Sequence, residues 1–340
     1  MLDGGGGLSA PPWPLRANSP PKVFGPKRSW GGFGIWGDAG GGAMRSVIPV
    51  LTVLAAIVAL WYAAAIGMNA QWERDQAGRA GEVIGWAEIV PRTLAQERPV
   101  LPAPHQVAAS FWQLTYGEEV EGRRGIVKSG SLSNRSLIYH GWVTLSATAL
   151  GFAIGAGFGI LLAIGIVFNR AMDMSVMPWA IASQTIPIVA IAPMIIVVLN
   201  SIGVSGLVPK AMIAAYLSFF PVVVGMVKGL RSPDAMQLDL LRTYNASGAQ
   251  GLGKLRFPAS MPYLFASLKV GVAASLVGTI VAELPLGGAG LGTRLLAGSY
   301  YGQTIQIWAT LFAAAFLAAA MVGLIGLVQA VTLRRMGMMR

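Results

Sequence analysis

DLLRTYNASGAQGLGKLRFP, residues 239–258, admits two readings that lead to different folds. Gly248, Gly253 and Lys254 fit the glycine-and-lysine frame of a phosphate-binding loop, G-x-x-x-x-G-K-[ST]. Position 255 is Leu, so the hydroxyl that would hold magnesium is missing. Such a loop also joins a buried strand to a helix, and LLRTYNAS (240–247) before Gly248 is no apolar strand. The other reading is a short helix, a turn at Asn245, a second helical piece capped by Ser247, and a stop at Pro258 and Pro262. Asn tolerates the left-handed backbone that a helix-ending turn requires, and Ser is a good N-cap. A rigid helix–turn–helix of this kind suits docking to a partner.

The rest of the chain decides between them. Of 340 residues, 54% are hydrophobic and only 11% charged, with a mean hydropathy of +0.61. Soluble domains carry about 25% charged residues, so this composition is that of a membrane protein. No α/β domain is available to host a nucleotide, and the second reading stands. There is no cysteine, which excludes disulfides, thiolate metal sites and thiol nucleophiles. The two histidines, His105 and His140, lie far apart, so no metal site, catalytic group or cofactor site is expected. The net charge of +11 could suggest nucleic acid. Its placement does not: Arg16, Lys22, Lys27, Arg28 and Arg45 precede the first apolar run, and Arg334, Arg335 and Arg340 follow the last. Basic residues flanking apolar runs set membrane orientation.

Residues 1–43 are rich in Gly, Pro and Ser and are expected to form a disordered cytoplasmic tail; Met44 offers an alternative start. Six apolar runs reach the length that spans a bilayer, roughly 46–68, 142–168, 174–200, 207–227, 263–284 and 304–331. The expected fold is all-α, an integral membrane protein of about six transmembrane helices. Its parts are a first span at 44–68, an external loop at 69–140 and a five-helix core at 141–335 that carries a cytoplasmic loop at 235–260. The first run is too long for the core of a signal peptide. The third run holds Pro178, Pro187 and Pro193, which predicts a kinked or broken helix. The second carries Gly151, Gly155 and Gly159 at four-residue spacing, a flat stripe for close helix contact. With the N-terminus inside, six spans return the C-terminus inside, and the loop with Lys228, Arg231, Arg242, Lys254 and Arg256 is cytoplasmic. In the external loop, 101–114 has the spacing of a short amphipathic helix at the membrane surface, and 117–135 reads as a solvated excursion.

The loop that opened this reading resembles the cytoplasmic "EAA" loop of permease subunits in bacterial ABC importers. Asp239 stands where that pattern has Glu, Leu240 and Leu241 where it has two Ala, and Asn245 where it has Gly. Phe257–Pro258 close the motif, and Arg242, Thr243, Ala246 and Ser247 fit its commoner form. LPAPHQV (101–107), IPIVAIAPMIIVVLNSIGVSG (186–206), VGTIVAEL (277–284) and GGAGLGTRL (287–295) are similar to segments of the nitrate/sulfonate/taurine branch. The resemblance covers roughly residues 100–335.

What the resemblance implies is a type I importer permease in a bacterial inner membrane, with both termini cytoplasmic. It would pair with a second copy of itself and with two separate ATPase subunits, and receive its solute from an external binding protein. The coupling surface would be Asp239, Leu240, Leu241, Arg242, Asn245, Ala246, Ser247, Gly248 and Pro258. ATP would be hydrolysed on the partner chain. The solute would be a small anion or a small heterocycle. From the residues themselves, Gln184 and Thr185 beside Pro187 are candidates for the path, because a broken helix exposes backbone there; ordinary interhelix hydrogen bonding is the other possibility. Glu283, the sole acid within a span, either faces a cavity or partner or touches water at the outer end. Lys210 and Lys269 are expected to snorkel to the interface, and Trp61, Trp142, Trp179 and Trp308 to anchor span ends. An autonomous secondary transporter or channel is the competing reading, but it would need repeats and coupling-ion ligands that the spans lack.

Overall fold

The computed structural model describes residues 43–116, 119–122, 125–128 and 136–338. The expected tail at 1–43 lies almost wholly outside them, as does most of 117–135. By contact the chain divides into Met1–Ala55 and Ala56–Arg340; the architecture below is that of the second unit.

Twelve α-helices account for most of the described residues. They are α1 (Ala43–Ala80), α2 (Trp86–Leu94), α3 (Pro104–Tyr116), α4 (Leu137–Phe168), α5 (Arg170–Ser183) and α6 (Ile188–Ser201). The second half holds α7 (Leu207–Leu230), α8 (Ala235–Thr243), α9 (Gly248–Gly251), α10 (Phe257–Leu286), α11 (Leu291–Tyr300) and α12 (Thr304–Arg335). Strands β1 (Glu119–Gly122) and β2 (Gly125–Lys128) pair antiparallel, Glu119 opposite Lys128, within the segment read as a solvated excursion. Among the described residues, five helices are long and apolar enough to cross a membrane, making up to six spans if α5 and α6, bent by 101°, count as one broken span.

The core is α7 packed between α4 and α10. Small residues permit it. A Cβ on Gly155 of α4 would strike Ser218 Oγ and the Ala215 carbonyl of α7, and one on Gly151 the Ala214 side chain. The stripe read from sequence is thus the α4–α7 contact. Ala163, Ile166, Val222, Val223, Met226 and Leu230 fill the seam, closed on the other side by Leu264 and Phe265 of α10.

Three expectations are corrected or extended. The first span does not stop at 68: α1 continues through QWERDQAGRA to Ala80, about 57 Å at 1.5 Å per residue. That exceeds a hydrocarbon core of about 30 Å, and the polar extension carries no hydropathy signal. The short helix expected within 101–114 forms as α3, and it also packs on α12 through Phe111 and Phe316, ring centres 5.7 Å apart. Leu137, Leu291 and Ala314 fill the space beside it. Trp61 is likewise more than an anchor: it sits 5.2 Å from Trp308 and donates to the Pro102 carbonyl.

Candidate functional site

Three polar features stand out on this apolar scaffold. The first is the loop at 235–258. α8 buries none of its residues, and Met236, Leu240 and Tyr244 are exposed. Its own bonds are local: Arg242 pairs with Asp239 at 3.0 Å, and Thr243 Oγ1 donates to the Asp239 carbonyl. Asn245 then takes φ 52°, the only positive φ outside glycine among the described residues. This turn lets the Asn245 and Ala246 amides donate back to the Arg242 and Leu241 carbonyls, satisfying the end of α8. Ser247 caps α9, accepting from the Gln250 amide, while Gln250 Oε1 accepts from the Ser247 amide, a reciprocal capping box.

The prolines beyond do not stop the chain. A π-helical turn, Leu252–Arg256, leads straight into α10, with Pro258 in the first turn. A wider turn accommodates a ring that would clash with the carbonyl four residues earlier. Arg256 Nη1 donates to the Leu230 carbonyl and fastens this piece to the end of α7.

The second feature is the break between α5 and α6. Gln184, Ile186 and Pro187 separate the helices and, with Ser183, Ile188, Tyr216, Leu217 and Phe220, line a cavity of about 290 Å³. The Tyr216 hydroxyl donates to the Ser183 carbonyl at 2.5 Å, using an acceptor freed where α5 ends. Gln184 therefore lies on the cavity wall. Thr185 is beside it, its hydroxyl turned back to the Ala182 carbonyl.

Glu283 does not join them. It is fully buried in a separate cluster linking α4, α7, α10 and the turn before α11. Thr144 Oγ1 donates to its carboxylate, the Gly292 amide donates at 2.8 Å, and Lys210 Nζ lies 3.5 Å away. Lys210 also donates to the Ala289 carbonyl. The Gly290 and Leu291 amides donate to His140 Nδ1 and Thr144 Oγ1. Lys210 is therefore buried and paired rather than snorkelling, because a carboxylate and a carbonyl meet it inside the bundle. The glycine turn leaves no room for a side chain, since a Cβ at Gly290 would overlap the Glu283 carboxylate. Residue reading missed His140, Thr144 and Thr148. Their four-residue spacing runs the Gly151–Gly155–Gly159 row onward along α4, and that was the available signal. Lys269 is half-buried on α10, its ammonium near Gly326 of α12.

Comparison with known proteins gives a consistent result. The family model described as "binding-protein-dependent transport system inner membrane component" matches residues 155–338. The riboflavin transport system permease protein RibX of Chloroflexus aurantiacus is 28% identical over 69% of this chain and 80% of its own. The formylaminopyrimidine transport permease protein ThiX of Halalkalibacterium halodurans is 29% identical over 49% of this chain and 65% of its own. The nitrate import permease protein NrtB of Synechocystis is 27% identical over 44% and 54%.

Proposed function

The chain belongs to the family of binding-protein-dependent transport system inner membrane components, and from that premise we propose that it forms half of the path of an ATP-driven importer. It works beside a second copy of itself, two ATPase subunits and an external protein that delivers a small anion or heterocycle. Its termini and the 235–260 loop lie in the cytoplasm. One observation carries the reading: α8 is a preformed helix with no buried residue, and it leaves apolar Met236 and Leu240, with Tyr244 at its end, exposed. An exposed apolar helix held rigidly by its caps marks a docking surface. Asp239, Leu240, Leu241 and Arg242 would enter a groove on the ATPase. The Asn245 turn and the Ala246–Ser247–Gly248 capping segment would fix the angle of the second piece. Pro258 and Arg256 would then transmit its motion into α10. Gln184 and Thr185 would line the path at the α5–α6 break, and Glu283 would hold the turn before α11 against α4 and α7.

A self-contained ion-coupled transporter finds less support, because Glu283 is already committed to Lys210, Thr144 and the Gly292 amide.

The test is a single charge on the docking helix. Leu240→Glu, 58% exposed, should leave membrane insertion and yield unchanged. It should lower ATPase recovery, on purification through a tag on this chain, at least about tenfold, the loss typical of a charge placed in an apolar contact. Full recovery of the ATPase with the variant would defeat the reading.

A further inference from the structure

We infer that the cavity at the α5–α6 break receives a small, flat, uncharged solute bearing both hydrogen-bond donors and acceptors, of the pyrimidine kind, rather than an inorganic or sulfonate anion. The inference rests on the importer reading and narrows its substrate class.

The wall of the cavity is the first ground. Tyr216, Phe220, Leu217 and Ile188 supply apolar and aromatic surface, and Gln184 an amide that both donates and accepts. No charged side chain lines it. Its volume of about 290 Å³ suits a one- or two-ring molecule, at the lower end of the range usual for small-molecule sites.

The break itself is the second. Among the described residues, the carbonyls of Gln184, Thr185 and Ile186 and the amides of Ile186, Ile188 and Val189 find no hydrogen-bond partner. Acceptors and donors are therefore offered together. The negative end of α5 and the positive start of α6 meet here, so their dipoles offset each other and leave no net attraction for an anion.

The cations elsewhere are the third ground. Lys210 is consumed by Glu283 and the Ala289 carbonyl. The Lys269 ammonium lies against Gly326 of α12, a helix that contributes nothing to the wall. An anion entering here would lose its hydration with no full positive charge from this chain's wall to replace it, and that is costly. A neutral ring stacked on Tyr216 and Phe220, its edge facing Gln184 and the free backbone, loses far less.

The chain has no cysteine, so Ile186→Cys in the full-length protein, which lines the same cavity and keeps the Gln184 amide, reports on this cavity alone. In vesicles of native membrane, alkylation of that thiol by N-ethylmaleimide is timed with cytosine, nitrate or ethanesulfonate present. Cytosine at about ten times its dissociation constant should slow alkylation about tenfold by occupancy, and the two anions should leave the rate unchanged. Protection by nitrate or ethanesulfonate, or none by cytosine, overturns the assigned class. A thiol that never reacts overturns it too, because the break would then meet no water. ATPase recovery from the same vesicles reads the importer assignment separately, so the two can fail independently.

Discussion

Glu283→Gln would leave the Lys210 ammonium buried without its counter-ion, while keeping a side chain of the same shape. Removing one partner of a buried pair costs about 3–5 kcal/mol, because the surviving charge stays desolvated. The variant should therefore melt well below the parent in detergent, read by intrinsic fluorescence. Glu283→Gln with Lys210→Met removes both charges and should recover most of the loss. If the double variant melts no higher than the single one, the pair is not what holds this site. Composition pointed to Glu283 as unusual because a lone acid in a span needs a reason. It could not point to Lys210, because that lysine sits near the start of α7, where a snorkelling side chain is the ordinary case. Only the fold brings the start of α7 against the end of α10. His140 and Thr144 were hidden for the same reason: a polar residue on a helix declares a face, not the partner across from it.

At the scale of elements, the glycine stripe of α4 makes a sharper prediction, because two glycines on that helix differ only in what they face. Gly155→Ala would drive a methyl group into Ser218 and the backbone at Ala215, whereas Gly157→Ala meets nothing within 4 Å. Overpacking of this kind typically costs about 1–3 kcal/mol, and an exposed helical glycine replaced by alanine is stabilising by up to about 1 kcal/mol. Thermal melts of the two variants should move in opposite directions. Equal shifts would mean that α4 and α7 can part without loss. This contact was legible because four-residue glycine spacing has a direct geometric meaning on a helix. The spans were legible from length, and the broken third span from Pro187 between apolar halves. What sequence could not give was the extent of polar helix. α1 runs on to Ala80 through charged residues, and the piece after Asn245 enters α10 without stopping at Pro258. In both cases the backbone continues where hydropathy and proline counting say it should end, since a π-turn or a contact with a neighbouring helix satisfies what a lone helix could not.

For the whole molecule, the question is which surface meets lipid. Exposure on the single chain does not answer it: Val189 at the start of α6 is 66% exposed and Leu324 on α12 is 61% exposed. Their backbones differ. Leu324 lies within an unbroken helix whose hydrogen bonds are internal, so its face can lie in hydrocarbon. Val189 follows a break with unpaired carbonyls and amides, and such backbone is tolerated at membrane depth only against protein or a water-filled path. In the proposed pair of copies, the α5–α6 face should thus turn toward the other copy and the path between them, and the α12 face toward lipid. Cysteine placed at the two sites in the cysteine-free chain separates these environments, because the thiolate that reacts with maleimide forms in water and not in hydrocarbon. Val189→Cys in intact vesicles should be labelled by a water-soluble maleimide, and Leu324→Cys should remain unlabelled until detergent is added. The reverse pattern would place the broken span against lipid, where its open backbone has no partner, and would require the two copies to meet through α12 instead.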